Sequence, residues 1–396
     1  MTLALSEEQK IIQNMAADFA KTQFQPHAAD WDAQQHFPID AIRAAAELGF
    51  GSIYTSADKG GAGLSRFDAV LVFEQLSQAC PSTAAFISIH NMVTWMVDCF
   101  ASETLRAKYV PSMANMQLIT SYCLTEPGSG SDAASLKTKA VRDGETYRLT
   151  GTKQFISGAG VSDIYLVMAR TQADNAPDTA DAPNPANGAD ANGISAFLLE
   201  KDTPGLSFGA NEKKMGWKSQ PTRQVIMDEA VVPAENLIGK EGDGFKFAMA
   251  GLDGGRLNIA ACSLGGAQAA FQQALAYVKE RNQFGRAIAD FQTTQFKLAD
   301  METGLQAARL MLYQAAQKLD AQAPDATKWC AMAKQFVTDY CFDIANMALQ
   351  LHGGYGYLSE YNIERIVRDL RVHQILEGTN EIMRVILARN LLERNA

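Results

Sequence analysis

Chemistry in this chain centres on one carboxylate near the C-terminus. Glu377 stands in Leu376-Glu377-Gly378-Thr379-Asn380-Glu381, between an apolar stretch and a glycine. Thr379 and Asn380 are good N-cap types, and apolar residues recur at helical spacing after them, so a helix start is expected here. A partly desolvated Glu at such a boundary rises from about 4.3 toward the range of a working general base. The competing reading is a Glu that only helps to cap an ordinary helix.

Five other segments offer chemistry, and each has a plain structural alternative. The run Tyr122-Cys123-Leu124-Thr125-Glu126-Pro127-Gly128-Ser129-Gly130-Ser131-Asp132 has glycines and small hydroxyl residues that let backbone N–H groups approach an anionic or heteroaromatic ligand. It also reads as a Gly/Ser turn. Phe155-Ile156-Ser157-Gly158-Ala159-Gly160 puts an aromatic face two residues from a hydroxyl, suited to a ring cofactor or to a strand entering a glycine turn. In Asp253-Gly254-Gly255-Arg256, two glycines within a helical pattern cost roughly 1 kcal/mol each against Ala. They open space beside Arg256, a suitable phosphate partner, or mark a kink with a surface Arg. Arg281-Asn282-Gln283-Phe284-Gly285 with Gln292, and Gln350-Leu351-His352-Gly353-Gly354-Tyr355-Gly356, interrupt strong helical patterns. Each is a ligand loop or a helix–helix turn, and His352 reads as a satisfied core histidine.

Common motifs are absent. No G-x-G-x-x-G follows a strand, and there is no Walker A sequence and no G-x-S-x-G elbow, which argues against a nicotinamide Rossmann enzyme and a serine hydrolase. The formal charge of -9 argues against nucleic acid and anionic membrane surfaces as partners. The 6 cysteines form no C-x-x-C pair and read as reduced core thiols; with the histidines they show no metal-ligand spacing, so no metal is expected. The first residues lack the pattern of a secretory or transit peptide, and no apolar run approaches the ~20 residues that span a bilayer. The expectation is a soluble protein, cytoplasmic if bacterial or in the mitochondrial matrix if processed.

The elements that must position these residues fall into three blocks within 396 residues. Helical patterns run from Ser6 to about Asn115, with a capping box at Ser6-Glu7-Glu8-Gln9, a second helix over 39–48 ending at Gly49, and apolar helices over 70–76 and 84–100. From about Leu118, short β-type runs alternate with turns, including an Asp143-Gly144 hairpin signal, which suggests a small antiparallel barrel or sandwich. Segment 172–193, rich in Ala, Asp, Asn and Pro, reads as a flexible surface loop. Helical runs return over 245–281, 293–321, 326–351 and 363–392. The order implies an α+β protein with a β domain between helical layers.

The segments YCLTEPGSGSD, FISGAG, RNQFG, QLHGGYGY and LEGTNEIMR occur in the order and spacing of the acyl-CoA dehydrogenase family, and the chain resembles that family over nearly its whole length. The phrases ISIHNM, CLTEPGSGSDAASL, GWKSQPTR, GGRLNIA and RVHQILEG look most like the branch that acts on isobutyryl-CoA in valine degradation. The resemblance implies an N-terminal helical domain over 1–118, a middle antiparallel β-barrel or sandwich domain over 119–235 and a C-terminal four-helix bundle over 236–396. It implies tightly bound FAD, an acyl-CoA substrate, a homotetramer built as a dimer of dimers, and electron-transfer flavoprotein as acceptor.

Site residues follow by the same resemblance. Glu377 matches the catalytic base, which removes the α-proton while a β-hydride passes to flavin N5. The family places that base either here or just before the Arg256 equivalent, where this chain has Gly255. Tyr122, Leu124, Thr125, Gly130 and Ser131 match the flavin-binding strand, with Ser131 also near the CoA portion. Phe155, Ile156 and Ser157 match residues beside the flavin ring, although many relatives carry Trp at the place of Phe155. Arg281, Phe284 and Gln292 match the segment that reaches the FAD of a neighbouring subunit. Gln350, Leu351, Gly353 and Gly354, and then Thr379, Asn380 and Glu381, match further FAD contacts. Asp253, Arg256, Leu376, Gly378 and Arg389 match the substrate side. Straight-chain relatives commonly have Tyr at the place of Leu376, so Leu376 is expected to make room for an α-methyl group. Other outcomes are a short-chain or 2-methyl-branched specificity, a flavin oxidase or monooxygenase on the same fold, and a non-catalytic acyl-CoA-binding protein.

Overall fold

Ser6 opens the first helix through the expected capping box: its Oγ accepts the Gln9 amide at 3.1 Å, and Gln9 Oε1 accepts the Ser6 amide at 3.0 Å. The computed structural model describes residues 4–171 and 191–393. The loop expected at 172–193 therefore lies outside the described residues, except for the short turn Ala191–Gly193. Helix α1 (Glu7–Phe19) is followed by α2 (Ala28–Gln34), α3 (Ile39–Glu47), α4 (Arg66–Ala79), α5 (Pro81–Phe100) and α6 (Glu103–Ala114). Helices α4 and α5 begin earlier than their apolar runs suggested. Ser65 caps α4 with a second capping box, and Pro81 occupies the first turn of α5.

Eight strands then form one sheet among the described residues: β1 (Thr120–Cys123), β2 (Lys139–Asp143), β3 (Thr146–Ser157), β4 (Ile164–Arg170), β5 (Ile194–Glu200), β6 (Leu206–Phe208), β7 (Thr222–Pro233) and β8 (Leu237–Ile238). Their order is β6-β7-β3-β2-β4-β5-β8, with β1 beside β4. Most pairings are antiparallel; β1 and β2 each meet β4 in parallel. The Asp143-Gly144 signal marks the β2–β3 hairpin, where Asp143 pairs with Thr146 and Gly144 takes φ 60°.

The continuous apolar run of β4 is explained by burial on both faces. Ile164, Leu166 and Met168 join a core cluster with α5 and α6, while Tyr165, Val167 and Ala169 join one enclosed by β3, β5 and β7. The sheet thus covers its own inner face and packs its outer face on helices.

The C-terminal block holds α7 (Gly244–Glu280), the ribbon β9 (Asn282–Gln283) and β10 (Arg286–Ala287), α8 (Gln292–Asp320), α9 (Ala326–Leu351), α10 (Ile363–Arg371) and α11 (Asn380–Glu393). The continuous helical run expected over 363–392 is corrected to two helices. Left-handed backbone at Glu377 and Gly378, φ 54° and 90°, breaks it. Helix α7 continues through Gly254-Gly255. It packs between α4 and α9, and this largest apolar cluster joins the first and last blocks of the chain. Among the described residues no helix is long and apolar enough to cross a membrane.

Candidate active site

Glu377 lies between the short turn Val372–Gln374 and α11. A non-glycine residue in left-handed backbone costs about 1–3 kcal/mol and persists only where its surroundings over-determine it. Here they do. Lys334 of α9 donates to the Gly378 carbonyl and to Asn380 Oδ1, each at 2.8 Å. Asn380 Nδ2 donates to Thr338 Oγ1 at 2.9 Å and to Asp339 Oδ1 at 2.6 Å. Gln374 and Arg384 donate to the same Asp339 carboxylate at 2.9 and 3.0 Å. Thr379 caps α11, its Oγ1 accepting the Ile382 amide at 3.4 Å.

The carboxyl so directed rests against α7 at Gly255, and Arg66 rests against the adjacent Gly254. The space that the glycine pair was expected to open beside Arg256 is thus taken by two charged groups. Glu377 is half-buried as a residue, yet its Oε2 is enclosed and has no hydrogen-bond partner. Burial pushes the carboxyl up to about 7, and the Lys334 and Arg256 charges draw it back part of the way. Arg256 is buried, not a surface group. Its guanidinium donates to Asp253 Oδ1 at 2.7 Å, Asp253 accepts Thr327 Oγ1 at 2.6 Å, and Arg256 Nε has no partner. The enclosed Tyr122 hydroxyl likewise has none.

These groups face a cavity of about 870 Å³ where the sheet meets α5, α7, α10 and α11. Segment 122–131 contributes Tyr122, Leu124, Thr125, Gly130 and Ser131, and β3 contributes Phe155, Ile156 and Ser157. Arg256, Leu376, Glu377, Gly378 and Thr379 line it from the helical side. Phe155 presents its ring at 65% exposure from a left-handed backbone, φ 59°. Met92, Met249 and Leu252 make one wall apolar.

Buried polar contacts hold the loop at 124–132. The Glu126 carboxylate accepts the amides of Lys137 and Thr138 at 2.6 and 2.9 Å and the Lys153 ammonium at 2.8 Å. Burial alone would raise this carboxyl, but Lys153 and the donors around it hold it below the usual range. Lys153 also donates to the Leu124 carbonyl at 3.1 Å, two residues ahead of Phe155 on β3. Opposite, Trp217 is clamped by its amide to Asp369 Oδ1 at 2.6 Å and by its indole N–H to His373 Nε2 at 3.1 Å. Burial keeps His373 neutral, down to about 3, so Nδ1–H donates to Ser263 Oγ at 2.6 Å.

Other residues singled out in the sequence lie elsewhere. Asp253 supports Arg256 without lining the cavity, Asn380 is buried in the Lys334 network, and Glu381 is exposed. Arg389 is exposed one turn beyond the lining residues Ile382 and Ile386, outside the cavity. Arg281, Leu351, Gly353 and Gly354 line a separate pocket of about 390 Å³ that shares no lining residue with the first. His352 is buried there; its Nδ1–H donates to the Ala348 carbonyl at 2.8 Å, and its ring stacks on Tyr277 at 4.4 Å. Phe284 is 93% exposed on the β9–β10 turn, while Gln292 opens α8 and Gln350 lies in the last turn of α9, both exposed. One chain does not bring this group to Glu377.

Lys334, the Glu126–Lys153 pair and Trp217 were not read as site residues from sequence. A signal existed for Lys334: it is a single cation in the buried stripe Cys330, Lys334, Val337 and Cys341 at helical spacing. Trp217 lay within GWKSQPTR, whose spacing carries no chemistry.

Family models agree with this architecture along the chain. The acyl-CoA dehydrogenase N-terminal domain matches residues 6–117, the middle domain 121–230 and the C-terminal domain 242–392. A mitochondrial isobutyryl-CoA dehydrogenase of Dictyostelium discoideum is 53% identical over 98% of this chain and 90% of its own length. The solved butyryl-CoA dehydrogenase of Megasphaera elsdenii is 34% identical and superposes with a TM-score of 0.92, covering 99% of this chain and 100% of its own. The structure of PigA with FAD and proline is 30% identical with a TM-score of 0.92, and each chain is covered in full, 100% and 100%. Three successive domain models and 53% identity to a relative over 98% of the chain place this chain in the acyl-CoA dehydrogenase family.

Proposed function

We propose that the protein is an FAD-dependent dehydrogenase that converts isobutyryl-CoA to methacrylyl-CoA, with Glu377 as the base. The observation that carries this reading is the enclosed Glu377 carboxyl, with Oε2 unpartnered and its pKa pushed up to about 7 beside a large cavity. The substrate is taken from the Dictyostelium relative, and the three-part division at 118 and 235 is kept from the sequence.

The residues present suit the cofactor. An exposed aromatic face at Phe155, the clamped Trp217 and the unpartnered Tyr122 hydroxyl meet in a space large enough for a flat polar ring. Tyr122, Leu124, Thr125, Gly130, Ser131, Ile156, Ser157 and Thr379 would hold it from one chain. Arg281, Phe284, Gln292, Gln350, Leu351, Gly353 and Gly354 would hold it from a neighbouring copy in a homotetramer. Bound flavin supplies the acceptor for the β-hydride. The chain itself handles the α-proton: Glu377 takes it as a carboxylate, and a pKa near neutrality suits general-base catalysis. Arg256, fixed by Asp253, adds positive charge on the Glu377 side of the cavity, where it would favour a developing enolate. The apolar wall excludes water and strengthens both effects.

Leu376 shapes the acyl end without an aromatic ring. One methylene is worth only about 1–3 kcal/mol of discrimination, so 2-methylbutyryl-CoA and butyryl-CoA are expected as slower substrates. Electron-transfer flavoprotein is the proposed acceptor, and the compartment is the mitochondrial matrix or, in a bacterium, the cytoplasm. The decisive experiment mixes purified protein anaerobically with isobutyryl-, butyryl-, 2-methylbutyryl- and isovaleryl-CoA and follows flavin bleaching. Fastest bleaching by a straight chain would sink the isobutyryl assignment. A purified protein without flavin absorbance would replace the enzyme by an acyl-CoA-binding protein.

A further inference from the structure

Lys334 is fully buried on α9. Burying an ammonium is costly unless hydrogen bonds and opposite charge compensate. Its donors go to the Gly378 carbonyl and Asn380 Oδ1, the backbone and side chain that follow Glu377. Neither acceptor is charged. The carboxylates of Glu377, Asp339 and Glu381 favour the ammonium, while Arg256 opposes it.

The groups around Glu377 come from several elements. Helix α7 presents Arg256, which is engaged by Asp253, and the Cys262 thiol. Strand β1 presents Tyr122, and the segment before α4 presents Tyr54. Burial raises Cys262, Tyr122 and Tyr54, so all three stay neutral near pH 7. Arg256 and Lys334 are the charges that draw the Glu377 carboxyl down. Of these two, Lys334 also grips the peptide next to Glu377.

We propose that Lys334 is a positioning residue: by tying down the Gly378 carbonyl it holds Glu377 in left-handed backbone with its carboxyl toward the cavity, and its buried positive charge acts on that same carboxyl. The proposal rests on Glu377 as the base. Its two parts separate chemically. Arginine at 334 would retain the charge, glutamine a donor without charge, and methionine neither.

The test compares FAD-loaded wild type, K334M, K334Q, K334R and E377Q. Anaerobic flavin reduction by isobutyryl-CoA and thermal denaturation are each followed across the neutral pH range. K334M should move the acid limb of the reduction rate up by about one pH unit. Its rate at neutral pH should fall roughly tenfold or more. K334R should restore the position of the limb more than the rate, and K334Q the reverse. In denaturation, the pH at which stability stops falling should rise in K334M, and adding E377Q should abolish that change. A folded, FAD-loaded K334M with an unmoved limb overturns the role of Lys334. Should K334M not fold, the same unmoved limb in K334Q does so. An E377Q enzyme reduced at the wild-type rate overturns the base itself, and Lys334 with it; an inactive E377Q beside an unchanged K334 series overturns Lys334 alone.

Discussion

A Cβ on Gly255 would stand 2.1 Å from Glu377 Oε2, so the carboxyl occupies the place that any other residue would fill on that turn of α7. The obstacle such a Cβ meets is the end of a flexible side chain, which can swing away. G255A is therefore expected to fold and to load FAD, since Ala favours a helix over Gly by about 1 kcal/mol. Its flavin reduction should slow by about a hundredfold, because a displacement near 1 Å suffices for that loss. Stopped-flow reduction together with flavin content checks both halves.

Gly265 on the same helix meets a different obstacle. Its Cβ would lie 2.0 Å from the Glu74 carbonyl oxygen, part of the α4 backbone. The helices must part, so G265A should lose about 1–3 kcal/mol of stability, the usual cost of overpacking. Urea denaturation measures it. Unchanged stability would mean that α4 and α7 separate freely.

The rate of proton abstraction should rise with pH through about 7, because Glu377 acts only when ionised. Stability should move the other way. The folded Glu377 carboxyl titrates near 7 against an ordinary 4.5, so the folded state binds the extra proton between those values. Stability then falls as pH rises through that window, by roughly 3 kcal/mol in total. E377Q should remove this fall and stop flavin reduction. Melting curves on both variants across the window test the sign.

The Lys153–Glu126 pair is enclosed at 0% and 9% side-chain exposure. Breaking it leaves a buried carboxylate with its two amide donors but no counter-charge, so K153M should cost about 3 kcal/mol. It should also free the loop at 124–132 and lower flavin occupancy. Denaturation midpoint and absorbance per chain are the measurements, and full occupancy in a folded K153M would dissociate the pair from the cavity.

Much of this arrangement was legible in the chain. The helix start at Thr379, the capping box at Ser6 and the β2–β3 hairpin at Gly144 depend on a few neighbouring residues, and local patterns report them well. Glu377 was legible as a candidate base from its position and from the ordered set of motifs around it. Helical periodicity misread 363–392 as one element, since a strained residue held by distant partners leaves no periodic trace. Periodicity marks Lys334 only as a cation in a buried stripe; its role is hidden because its acceptors are 44 and 46 positions away.

Order, type and spacing along the chain determine the α–β–α succession, the family and the carboxylate at 377, because each is written in near neighbours or in a colinear set of motifs. Folding alone decides that Gly255 yields its side-chain space to Glu377, that Lys334 secures the next peptide, and that Arg281 and Gly353 lie in a separate pocket. Those relations depend on how α7, α9 and α11 pack. Burial and charge act through distance in space, which sequence separation does not encode.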